Sequence, residues 1–75
     1  IGGLAAITAG DIIVLSRVVR LAPDNPDARY NYGVALLGDN QANAAVEQFE
    51  AALRLRPGFA EAAESPAEAR EAVNR

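Results

Sequence analysis

The chain has 75 residues, a formal charge of −3 and a pI near 4.7, and it contains no cysteine, histidine or lysine. That inventory excludes disulfides, thiol chemistry and the commonest transition-metal ligands, and the lack of a basic stripe argues against nucleic acid. About half of the residues are apolar (51%), but alanine makes up much of that half and the aromatics are two Phe and two Tyr, so the composition favours closely packed helices over a bulky core.

The first ten residues, Ile1 to Gly10, carry no charge. A helix is expected from Ile12 to Leu21, ending at Ala22-Pro23. Its apolar residues (Ile12, Ile13, Val14, Leu15, Val18, Val19, Leu21) run most of the way round, which marks a helix covered on several sides or lying in lipid. Three settings fit: upstream repeats or another subunit cover it; the stretch from Ile1 is the tail of a membrane span that continues upstream, with Arg17 and Arg20 flanking the exit; or it is the remnant of a cleaved signal peptide. The run as given is short of the ~20 apolar residues that a span needs. The missing initiator Met implies a start inside a longer protein or after processing.

A second helix opens with Asn25 as N-cap, Pro26 at the first helical position and Asp27 in the first turn, where the helix dipole favours an acid. It runs to Leu37. The sequence Gly38-Asp39-Asn40-Gln41 is a turn signal. A third helix spans Ala42 to Leu55, with a polar stripe (Asn43, Glu47, Glu50, Arg54) and an apolar one (Ala45, Phe49, Ala52, flanked by Val46 and Leu53). Pro57-Gly58 stops it. Phe59 to Glu64 reads as helical, and Ser65-Pro66-Ala67-Glu68 is a capping box that opens a last helix to about Asn74. Helices joined by a short turn pack antiparallel, and one such pair cannot bury both its faces alone.

The clearest internal signal is an echo: Arg20-Leu21-Ala22-Pro23 against Arg54-Leu55-Arg56-Pro57, with the prolines 34 residues apart. That spacing is the period of the tetratricopeptide repeat (TPR). Arg29, Tyr32-Gly33, Leu36, Ala45, Phe49, Ala52 and Pro57 fall in the order of the repeat's pattern, so residues 26–59 resemble one complete repeat and residues 12–25 the second half of the one before. Arg29 and Val18 depart from the pattern, which usually has a large, often aromatic, residue at the first place and Ala at the second. The resemblance implies an all-α fold: antiparallel helical hairpins stacked as a TPR-like α-solenoid fragment. Residues 1–11 would form an apolar N-terminal segment, and residues 60–75, where Pro66 breaks the repeat, a capping helix. Another hairpin array or a small bundle would also accommodate the helices. Gly33 and Ala45 are small where two helices would approach closely, and Phe49 supplies bulk between hairpins.

The resemblance implies a non-catalytic protein–protein interaction module that binds no cofactor or metal, its partner a protein rather than a nucleic acid. The first helix of the hairpin would line a concave partner-binding face with Asp27, Tyr30, Asn31, Val34 and Leu37. The competing assignment is that these residues pack on a neighbouring repeat or the terminal helix. Asn31 matches one member of the clamp by which some relatives hold acidic C-terminal peptides, but Tyr30 and Val34 stand where that clamp wants polar or basic groups. Glu61, Glu64, Glu68 and Glu71 sit at helical spacing and read as a solvated face rather than a catalytic or metal-binding pair. No phosphate-loop pattern is present, and no His could activate Ser16 or Ser65, so no enzyme is expected. The alternative function is a structural accessory subunit of a membrane-associated complex, held by the apolar N-terminal segment; compartment and repeat number stay open.

Overall fold

The computed structural model describes residues 9–64. Three helices follow one another: α1 (Ala9–Leu21), α2 (Pro26–Gly38) and α3 (Ala42–Leu55). A further helix begins at residues 60–64, and no strand occurs among the described residues. The fold is all-α. Helix α1 starts three residues before the expected Ile12 because Ala9 extends it at little cost and Asp11 falls in its first turn. The segment 1–8, the expected capping box at Ser65 and the expected terminal helix to about Asn74 lie outside the described residues.

Local chemistry sets the ends of α2. Asn25 is extended (φ −93°, ψ 109°), and its Oδ1 accepts from the backbone N–H groups of Asp27 (3.0 Å) and Ala28 (3.2 Å). Two of the orphan donors at the helix start are thereby satisfied. At the other end Asn40 takes a positive φ of 62°. This left-handed residue lets Gln41 N–H reach back five residues to Leu36 O (2.8 Å), around a three-residue bond from Asn40 N–H to Leu37 O (3.2 Å). The chain reverses there into α3, with Gln41 Nε2 held by Asp39 Oδ2 at 2.8 Å.

Helix α2 packs chiefly on α3 and less extensively on α1. Its buried residues, Ala28, Gly33, Ala35 and Leu36, spread round the helix, as expected of an element with a neighbour on each side. On α3 the buried residues are Ala45, Phe49 and Ala52, one stripe at i, i+4 and i+7. The core forms two clusters. The first holds Leu36, Ala45 and Phe49 and draws in Ile12 of α1; the second holds Ala52, Phe59 and Ala62. Tyr30 packs against both and joins them.

Gly33 shows why the hairpin closes so tightly. A Cβ built on it would lie 2.6 Å from Phe49 Cε1 and 2.8 Å from Cδ1. The ring of Phe49, fully buried, therefore occupies the space that any side chain at position 33 would need.

The sequence echo is also a backbone echo. Ala22 N–H bonds Val18 O at 2.9 Å, and Arg56 N–H bonds Ala52 O at 2.9 Å. Asn25 to Ala22 (3.1 Å) is matched by Phe59 to Arg56 (3.0 Å), and Arg29 to Asn25 (3.2 Å) by Ala63 to Phe59 (3.0 Å). In each pair both partners are displaced by the period of the two prolines. The exit from α1 into α2 and the exit from α3 into the 60–64 helix are thus the same connection made twice.

Candidate functional site

The expected partner-binding stripe of α2 divides in the structure. Asp27, Tyr30 and Asn31 line an open groove of about 540 Å³ between the start of α2 and the turn after α3. Val34 lies on the same helix, 45% exposed. Leu37 is half-buried and packs against the cluster of Leu36, Ala45 and Phe49, so it belongs to the edge of the core. Tyr30, expected on the partner-binding face, has its ring 5.8 Å from that of Phe49 and 5.1 Å from that of Phe59. Tyr30 is long enough to reach sideways over α3, and the following helix closes on it. Tyr30 thus packs partly on Phe59 beyond α3, Leu37 packs within its own hairpin, and Asp27, Asn31 and Val34 are exposed.

The groove owes its other wall to residues after α3. Arg56 sits where α3 ends, and its guanidinium grips the Asp27 carboxylate at two points, Nη1 to Oδ1 at 3.1 Å and Nη2 to Oδ2 at 3.2 Å. The same group stacks over the Phe59 ring, 4.9 Å from its centroid. Glu61 also lines the groove. Arg56, Phe59 and Glu61 were not legible as groove residues, since nothing local ties them to Asp27, 29 positions before Arg56. Two of the five N–H donors of Arg56 are engaged by Asp27.

No protein-family model, curated protein or solved structure matches the chain.

The groove is therefore read from its own chemistry. Its floor is aromatic, from Tyr30 and Phe59, and its rim is polar, from Asn31, Glu61 and the Asp27–Arg56 pair. Such a surface can cover an apolar side chain of an extended segment and hydrogen-bond its backbone through the Asn31 amide. The residues read as repeat-defining lie elsewhere. Gly33, Leu36, Ala45, Phe49 and Ala52 are buried, Tyr32 is half-buried, and Pro57 is exposed in the turn after α3. Arg29, which the pattern would replace by a large apolar residue, ties the hairpin by polar contacts instead, Nη1 to Gln48 Oε1 and Nε to Pro23 O, both at 3.1 Å. Of the four spaced glutamates, Glu61 and Glu64 are exposed; Glu68 and Glu71 lie outside the described residues.

Proposed function

We propose that the chain is a non-catalytic protein–protein interaction module of TPR type, in which stacked hairpins hold the α2 groove open to a partner segment. The observation that carries this reading is the connection made twice at the repeat spacing, with the same three backbone bonds each time. Units related in this way stack side by side, and stacking places successive first helices along one surface. Gly33 against Phe49 supports the same reading, since a small residue beneath a large ring sets the closeness of one hairpin.

Peptides selected against the whole chain from a random displayed library test it. Asn31→Ala and Val34→Asp alter exposed positions of α2 and should weaken the selected peptides at least tenfold while leaving the far-ultraviolet circular dichroism unchanged. Peptides that bind both variants as tightly as the parent would remove α2 as the binding surface.

A further inference from the structure

Helix α1 carries a surface that partner binding on α2 does not use. One side of the helix faces the core, with Val19 buried and Ile12 packed on the first cluster. The other exposes Ile13 (51%), Val14 (59%), Val18 (41%) and Leu21 (86%). Arg17 and Arg20 lie on the same outer side, their side chains engage no hydrogen bond or ion pair among the described residues, and with Leu21 they border a shallow depression of about 330 Å³.

Helix α3 serves as an internal control. At the repeat spacing, Ile13 and Val14 correspond to Glu47 and Gln48. Glu47 is exposed and Gln48 accepts a hydrogen bond from Arg29. At these two positions the repeated backbone is polar on α3 and aliphatic on α1, whereas Val18 and Leu21 correspond to Ala52 and Leu55, apolar in both; the repeat therefore does not require Ile13 and Val14 to be aliphatic.

We propose that this face docks in the interfacial layer of a lipid bilayer containing anionic lipids, with the axis of α1 in the membrane plane. No helix among the described residues is long and apolar enough to cross a membrane; α1 has 13 residues, a length of about 20 Å against a hydrocarbon core of about 30 Å. Lying flat, it sinks Ile13, Val14, Val18 and Leu21 below the headgroups while Arg17 and Arg20 reach up to the phosphates. Charge selects the orientation. With two Arg against Asp11, α1 carries +1, so the remainder of the chain carries −4. An anionic surface attracts α1 and repels the rest. A second copy fits less well, because two such faces would oppose Arg17 and Arg20 to their like, and one face of a ~20 Å helix falls short of the roughly 1,200 Å² of a stable interface.

Flotation of the 75-residue chain with vesicles is the test, using phosphatidylcholine alone and phosphatidylcholine with phosphatidylglycerol at about one part in three. The chain should float with the anionic vesicles and far less with the neutral ones. Val14→Asp with Leu21→Asp should abolish flotation. Arg17→Gln with Arg20→Gln should lower it at least tenfold, each such cation contributing about fivefold near an anionic surface. Circular dichroism of each variant checks folding, and Asn31→Ala should float like the parent, which separates this test from that of the α2 groove. Failure to float with either vesicle, or flotation unaffected by the aspartates, would overturn the proposal. So would light scattering that shows a dimer broken by Val14→Asp.

Discussion

At position 33 two effects of opposite sign compete. Replacing a mid-helix glycine by alanine ordinarily gains about 1 kcal/mol in propensity. Here the new methyl would meet the Phe49 ring at 2.6 Å, and overpacking of that kind costs about 1–3 kcal/mol. Gly33→Ala should therefore destabilise the fold, by about 1–2 kcal/mol in denaturant unfolding. Adding Phe49→Leu should recover part of the loss relative to the sum of the single changes. Strict additivity would mean that the two residues do not touch. Asn40 poses a simpler case. Its φ of 62° strains any residue with a Cβ, though Asn least among them. Asn40→Gly should raise stability by about 0.5–1 kcal/mol and Asn40→Ala should lower it, both read from thermal midpoints.

Among the elements, α2 depends most on its ends. Asn25→Ala removes the acceptor for two backbone donors and should cost about 1 kcal/mol. The Asp27–Arg56 pair, by contrast, joins the start of α2 to the end of α3 across solvent, with side chains 61% and 48% exposed. Exposed pairs contribute little, so Asp27→Asn should cost less than about 1 kcal/mol. The loss should fade as salt is added, because screening already weakens the parent's pair. A loss that persists in molar salt would show that Asp27 acts otherwise than through charge. Helix α1 is shaped by what surrounds it. Its inner side completes the first core cluster and its outer side stays bare, so its stability should respond to whatever covers that side.

At the scale of the molecule, the α2–α3 hairpin is closed by the segment that follows it. The second core cluster exists because Phe59 and Ala62, from the start of the next helix, close over Ala52 of α3. Tyr30 links that cluster to the first, so the groove, both core clusters and the contact with the segment after α3 share one aromatic side chain. This sharing explains why exposed neighbours such as Asn31 and Val34 are the cleaner probes of binding, and why substitution of Tyr30 would confuse binding with folding.

The helices, their turn and the repeat spacing were legible in the sequence, because they depend on neighbours in the chain: Asn25 capping its own helix, proline ending one, apolar residues returning every three or four positions. Gly33 and Phe49 each stood out by size, but Phe49 was expected to fill the space between hairpins and instead packs on Gly33 within its own. What tertiary structure decided was which side chains meet across the chain. Tyr30 turned inward because Phe59 came to stand beside it, and Arg56 found Asp27 because the exit from α3 folds back on the entry to α2. Local sequence fixes the direction in which a side chain leaves its helix; the approach of a second helix determines whether that direction leads to solvent or to a partner.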